Sequence, residues 1–301
     1  MPVTALESNS VSESSPSAAH LVRDPELSVV MVAGPDATTF LNAQAMTLLL
    51  GREENRCIKC AFADNKGRVI ALTTAWRSGE SWRFLMPSDQ AGWLAQHLLR
   101  FRFRSRCDIE VVAEYDVIAV FGQGAPDALR KAGVPVPEPD RVQGDETLSC
   151  VASNADRYVV LGEKDAVDRV AHVLESESRV TGGVYWRGIC MRAGEAAVYE
   201  ASRGRFLPQM LNLDEADVIG WKKGCYPGQE VVARLQHRGT VKKRLLLIAG
   251  PLEVAIGERI DVEDIIVEVV DHGVLEDGRA VTQVVAPFPF DPALEKLRLS
   301  L

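Results

Sequence analysis

The sequence predicts an α+β fold: a duplicated split β-α-β unit followed by a small all-β domain. Two observations carry this. Laid over one another, the first and second halves repeat the same order of strand, turn and helix. From Thr240 onward, helical periodicity gives way to β-rich runs broken by Gly and Pro. With 301 residues, 47% hydrophobic and 25% charged, the chain is long enough for two or three domains, each with a core of its own.

The opening MPVTALESNSVSESSPSAAH is Ser-rich and carries Glu rather than Arg, with no apolar run. It matches neither a secretory signal nor a transit peptide, so residues 1–22 are expected to be a disordered tail. LSVVMVAGPDATTFLNAQ (27–44) reads as a strand, a turn at Gly34-Pro35-Asp36 and a helix. YDVIAVFGQGAPDALRKAG (115–133) has the same order. SWRFLMPSDQAGWLAQHLLR (81–100) and DRYVVLGEKDAVDRVAHVLES (156–176) form a second pair: strand, short turn with an acid, amphipathic helix. These repeats divide the chain into units at 23–113 and 114–239, with the Pro-rich VPVPEPDRVQGD (134–145) a connector inside the second. The runs KKRLLLIAG, RIDVEDIIVEVVDHG and AVTQVVAPF make 240–301 a small β-barrel.

No stretch approaches the roughly 20 apolar residues of a membrane span. Cys57, Cys60, Cys107, Cys150, Cys190 and Cys225 lack disulfide-framework spacing and, without an export signal, read as reduced thiols in a cytoplasm. A net charge of −8 argues against direct nucleic-acid binding, which rests on neutralising phosphates, so an anionic ligand has to be met by a local basic cluster. Cys57-Ile58-Lys59-Cys60 lies on a strand, where residues three apart face opposite sides and cannot share a metal. The five histidines show no metal spacing either, and no permanently bound metal is expected. RFRFRSR (100–106) tempts as a nucleic-acid strip. The preferred reading is a strand that buries Phe101 and Phe103 and turns Arg102, Arg104 and Arg106 to water.

The strongest candidate site is KKGCYPGQEVVARLQHR (222–238). Val231, Val232 and Leu235 recur at helical spacing, Pro227 suits a first turn, and Glu230 precedes Arg234 by four residues. Cys225 then sits just outside a helix N-terminus beside Lys222 and Lys223, where the dipole and both ammonium groups favour a thiolate. Gly224 and Gly228 leave the backbone open to a ligand. The alternative is an inert thiol in a capping turn. His237 reads as a helix-end residue rather than a catalyst.

Lys223-Gly224-Cys225-Tyr226-Pro227-Gly228-Gln229-Glu230 resembles the K-G-C-Y-x-G-Q-E signature of the YgfZ-type folate-binding proteins, relatives of the glycine-cleavage T-protein. FLPQMLNLDEA (206–216), VARLQHRGTVKKRLL (232–246) and ADNKGRVIAL (63–72) resemble the same family's flanks, and the likeness runs from about residue 27 to 286. The resemblance implies a ring of two ferredoxin-like units, a C-terminal barrel and tetrahydrofolate, or a derivative, in the central hole. It implies an accessory protein for assembly or repair of iron–sulfur clusters in [4Fe–4S] enzymes, among them radical enzymes that modify tRNA. Its partners would be those clients or cluster-assembly proteins. Cys225 would be the reactive thiol, poised by Lys223; Gly224, Tyr226, Gly228, Gln229, Glu230 and Arg234 would shape its loop. Asp64, Lys66, Gly67, Arg68, Arg192 and Asn212 would contact folate. Arg102, Arg104 and Arg106 could instead meet a folate's glutamate tail.

Two departures bear on chemistry. Where the T-protein carries two acids after the glycine block, this chain has Ala71-Leu72, which leaves no acid or base at that place. The first helix also lacks the Gln-x-Thr-x-Asp pattern, since Gln44 is followed by Ala45, Met46, Thr47 and Leu48. An accessory factor is therefore favoured over turnover. The alternatives are a folate-dependent aminomethyltransferase or other one-carbon transferase, and a tRNA-binding module.

Overall fold

The computed structural model describes residues 18–250 and 253–299. After β1 (His20–Val22), the first unit runs β2 (Leu27–Ala33), α1 (Ala37–Gln44), β3 (Ile58–Ala63), β4 (Val69–Ser78), β5 (Ser81–Pro87), α2 (Ser88–Phe101) and β6 (Asp108–Val111). The second runs β7 (Tyr115–Phe121), α3 (Ala125–Lys131), β8 (Arg141–Gly144), β9 (Leu148–Ala152), β10 (Arg157–Glu163), α4 (Lys164–Glu177), β11 (Arg179–Thr181) and α5 (Gly183–Arg192). Two 3-10 turns, Glu200–Ser202 and Pro208–Leu211, lead to α6 (Gln229–Arg238). β12 (Lys243–Ala249), β13 (Arg259–Val262), β14 (Ile265–Val274), β15 (Ala280–Pro287) and α7 (Pro292–Leu297) follow.

The fold is α+β with three sheets, ordered β3-β4-β5-β2-β6, β11-β1-β7-β10-β9-β8 and β12-β15-β14-β13. The repeat read from the sequence is visible in the packing. On α2 the buried stripe is Ala91, Leu94, Ala95 and Leu98; on α4 it is Val167, Val170, Ala171 and Leu174, at identical spacing. Each stripe covers one face of its sheet, and each Leu or Val so buried contributes about 1.5–3 kcal/mol. The strand before the first helix of each unit, β2 or β7, pairs with the strand before the second, β5 or β10.

Three expectations are corrected. Residues 1–17 lie outside the described residues, but the segment assigned to the tail extends into a strand: β1 pairs antiparallel with β7 and parallel with β11. It fills beside β7 the place that β6 takes beside β2. The C-terminal region is an open four-stranded sheet rather than a closed barrel. The outer edge of β12 is occupied by other partners: Asn212 Nδ2 donates to Leu245 O, and Leu299 N to Leu247 O. RFRFRSR is not a strand. Arg100 and Phe101 close α2, and the next residues form a loop that leaves Phe103 85% exposed.

Two close approaches assemble the units. The connector is stitched to the first unit through Cys57 N donating to Asp140 O and Val142 N to Asn55 O. Helix α5 lies directly on β14: a Cβ on Gly188 would overlap Val274 O, and one on Gly273 would come within 2.5 Å of Gly188 N. Only two glycines allow helix and strand backbones to meet so closely.

Candidate functional site

Cys225 is the exposed cysteine among the described residues; Cys190 is half-buried and the other four are buried. The loop carrying it is fixed on both sides. Lys223 reaches away from solvent to the end of α1, where its Nζ donates to the carbonyls of Asn42 (2.6 Å), Ala45 and Thr47 (3.1 Å). Burial lowers Lys223 to about 8, and the three carbonyl oxygens favour the protonated form that remains at neutral pH. Tyr226 is buried with its ring 5.3 Å from that ammonium, and burial pushes its hydroxyl up to about 12. Gly224 has open space around it. Gly228, at φ 76, caps α6, so Pro227 precedes the helix instead of opening it. Gln229 is half-buried at the helix start, and Glu230 forms a surface pair with Arg234 at 2.8 Å. Of the expected apolar face, Val232 is buried and Leu235 half-buried, while Val231 is 38% exposed.

The second block meets the first at backbone level. Asp64 to Arg68 is the turn between β3 and β4, organised by Asp64 Oδ1, which accepts from Lys66 N at 2.8 Å and Arg68 N at 2.9 Å. Gly67, at φ 73, faces Gly228: a Cβ on Gly228 would lie 2.5 Å from Gly67 Cα, and one on Gly67 would lie 3.2 Å from Gly228 O. Gly228 therefore admits a neighbouring turn, not open solvent. Lys66 is exposed, and Arg68 Nη1 donates to Arg205 O.

Arg192 and Asn212 stand elsewhere. Arg192 pairs with Glu276 at 2.6 Å. Asn212, at φ 57, ends the second 3-10 turn and binds Leu245 O through its amide. Neither lines the cavity between the two large sheets, and neither do Asp64, Lys66, Gly67, Arg68 or Cys225.

That cavity encloses about 100 Å³, in a depression of about 760 Å³ counting its open mouth. It lies where both large sheets meet α5 and β14, with Leu72, Leu85, Met86, Val159 and Trp186 as apolar walls. Three carboxylates give it polarity, and one of them, Glu26, pairs with Arg187 at 2.7 Å. Burial opposes the charge of Glu195, but Lys59 and Arg157 (Nη2 to Oε1, 2.7 Å) overcome this and pull its carboxyl down to about 2. Burial pushes Asp271 up to about 6, against the hydroxyl of Tyr199 at 2.7 Å and Arg187 at 3.5 Å. Burial also drives the thiol of Cys190 up to about 12. Sequence reasoning missed this set because five separate segments supply it. Its signal was a charge set in an apolar strand: Lys59 in IKCAFA and Asp271 in IIVEVVDHGV.

Cys57 and Cys60 lie in different apolar clusters, as alternation along a strand requires, and burial pushes both thiols up to about 12. No helix among the described residues is long and apolar enough to cross a membrane.

No family model matches the chain. Among solved structures it is similar to the glycine cleavage system aminomethyltransferase T from Bartonella henselae, with a TM-score of 0.75, 15% identity, and coverage of 90% of this chain and 79% of that one. The chain thus has the aminomethyltransferase T fold. Among curated proteins it is 26% identical over 274 residues to the tRNA-modifying protein YgfZ of Shigella boydii serotype 4 (strain Sb227), covering 87% of this chain and 83% of the relative. It is 24% identical over 278 residues to the YgfZ of Cronobacter sakazakii (strain ATCC BAA-894), covering 88% and 84%. The chain is a homologue of the YgfZ proteins.

Proposed function

We propose that the chain is a folate-binding accessory protein that supports [4Fe–4S] enzymes, including radical enzymes that modify tRNA, through the thiol of Cys225. The carrying observation is that the exposed Cys225 sits in a loop clamped by Lys223 on one side and by the contact of Gly228 with Gly67 on the other. A thiol so held is accessible without being mobile, which suits repeated encounters with a partner protein. We read the two matched sheets as ferredoxin-like units of a ring, with the cavity between them as the folate site and the cytoplasm as the setting.

The donor set of the cavity fits a pterin. Carboxylates accept hydrogens from the amino and ring N–H edge of such a heterocycle, and Glu195 and Asp271 are, with Glu26, the carboxylates on this wall. Leu72, Met86 and Trp186 would flank the ring, with Lys59 and Arg187, each already paired with a carboxylate, at its border. Tetrahydrofolate carries one-carbon units on its ring and linker nitrogens. Leu72 lines the cavity and Ala71 is buried, so the strand position where the aminomethyltransferase has acids is apolar here. One observation favours a second reading, one-carbon transfer: Asp271, raised to about 6, is suited to moving a proton near neutrality.

Titrating tetrahydrofolate into the wild type and into Cys225→Ala, Glu195→Gln and Asp271→Asn variants tests the proposal, alongside [4Fe–4S] enzyme activities in cells carrying each variant. C225A is expected to bind folate normally and to lose support of the enzymes. The cavity variants should bind folate about tenfold more weakly, one charge-assisted hydrogen bond each. Normal enzyme activities in C225A cells would refute the role of the thiol, and folate affinity indifferent to both cavity variants would refute the site. Turnover of tetrahydrofolate with an aminomethyl donor, abolished in D271N, would establish the transferase instead.

A further inference from the structure

We propose that the end of α2 is a stacking surface for single-stranded nucleic acid, separate from both the cavity and the Cys225 loop. The Arg-Phe alternation of 100–106 does not bury its rings. Phe101 is 39% exposed and Phe103 is 85% exposed. An open phenylalanine gives up the gain that burial would bring, and Phe103 also holds φ 43, a left-handed conformation uncommon for a bulky residue.

This exposure is built in, because the loop is pinned. Ser105 N donates to Arg102 O at 2.8 Å, Arg102 Nη1 to Cys107 O at 3.2 Å, and Arg106 grips Asp36 through Nε and Nη2. Phe101 and Phe103 thereby face a shallow slot against α1, floored by Phe40 and Ala43 and edged by Gln44 and Arg104. Two phenyl rings over such a slot offer faces on which planar bases stack regardless of sequence.

The polar groups of the slot complete a nucleotide's requirements. Gln44 lines the slot with its side-chain oxygen buried and without a hydrogen-bond partner, and Asp36, also on the lining, is neutralised by Arg106. Arg104, and Arg100 on the last turn of α2, form no ion pair among the described residues. Arg106 is committed to Asp36, and Arg102 lies 3.7 Å from Asp108. Arg104 on the slot's edge and Arg100 on the last turn of α2 are therefore guanidinium groups open to phosphates. Behind them the rings continue as a ladder on one helix face: Phe101 to His97 at 5.1 Å, His97 to Trp93 at 4.9 Å, with Arg203 over the indole at 4.3 Å. Such a ladder stiffens the platform, so that stacking on it orders little of the protein. Rings interleaved with arginine fit bases and phosphates better than the dry centre of a protein interface. The net charge of −8 keeps the rest of the surface from binding duplexes indiscriminately.

The test is fluorescence anisotropy of a labelled short oligo(A) titrated with the full chain, against the Phe103→Ala and Arg104→Glu variants. Expected are affinity for the single strand, a loss of about tenfold in each variant, and a log–log salt slope near about −1.4 for two neutralised phosphates. Several results overturn the proposal: no binding at low salt, binding that neither variant weakens, a duplex of the same sequence bound equally well, or adenosine monophosphate bound as tightly as the strand. Self-association of the chain that F103A abolishes would assign the face to a second copy instead. Both side chains are exposed, so thermal melts of the variants should match the wild type. Folate titrations of the same samples should also be unchanged, so failure here leaves the folate reading standing.

Discussion

Lys223 and Cys225 stand two residues apart, yet their side chains serve different partners. The ammonium of Lys223 is consumed by three carbonyl oxygens at the end of α1, which makes it an anchor of the loop. Replacing it with Met keeps the apolar stem and orphans those carbonyls, and should cost about 1–3 kcal/mol, read as a lower urea midpoint at unchanged slope. The cavity carboxylates Glu195 and Asp271 also part company. Asp271 is raised to about 6, so between the ordinary carboxyl range and pH 6 the folded chain holds a proton that the unfolded chain has lost. Its contribution to stability is complete below that window and fades as pH rises through it. Asp271→Asn mimics the protonated acid; urea titrations at about pH 4 and about pH 7 should show that this loss is absent in the variant. A loss of equal size in the variant would assign the titration to another group.

At the scale of elements, glycine pairs decide where chain segments touch. Gly188 against Val274 seats α5 on β14, and α5 brings Trp186, Arg187 and Cys190 to the cavity. Gly188→Ala should push the helix off the strand, at a cost of about 2–4 kcal/mol, and weaken any cavity ligand with it. Gly228→Ala meets a similar barrier at Gly67. Gly224→Ala meets nothing within 4 Å and should stay within about 0.5 kcal/mol of wild type by the same denaturation assay. A destabilised G224A alongside a tolerated G228A would invert this account of the loop. The same scale shows what a sequence discloses. The α2 and α4 stripes were legible because four positions at helical spacing repeat in both halves. β1 was not, since three residues carry no periodic signal and its partners lie far along the chain. Nor was the open C-terminal sheet, because closure depends on what lies beside β12, and that is a 3-10 turn and the C-terminal segment.

Across the whole molecule, one carboxylate bridges strands of the two large sheets. Glu195 lies beyond α5 and pairs with Lys59 on β3 of the first sheet and Arg157 on β10 of the second, so an ion triad with a buried Arg157 and half-buried Glu195 and Lys59 spans the seam that also forms the cavity wall. The octapeptide and the Asp64–Arg68 turn were legible as contiguous motifs. This triad was not, because its members stand 38 to 136 residues apart in the sequence and only the fold unites them. Glu195→Gln leaves Arg157, whose Nε and Nη1 already lack partners, buried beside a neutral amide. Removing one partner of such a cluster costs about 3–5 kcal/mol, whereas exposed pairs such as Glu230–Arg234 give at most about 1 kcal/mol. The pH dependence has a definite sign. Glu195 is held down to about 2, so its stabilisation is present above the ordinary carboxyl range and is lost as pH falls toward 2. Wild type should therefore unfold along an acid limb below about pH 4.5, and E195Q should be less stable at neutrality with that limb flattened. Circular dichroism melts across the acid range check both halves. An acid limb unchanged in E195Q would mean that this carboxylate supplies no electrostatic tie across the seam.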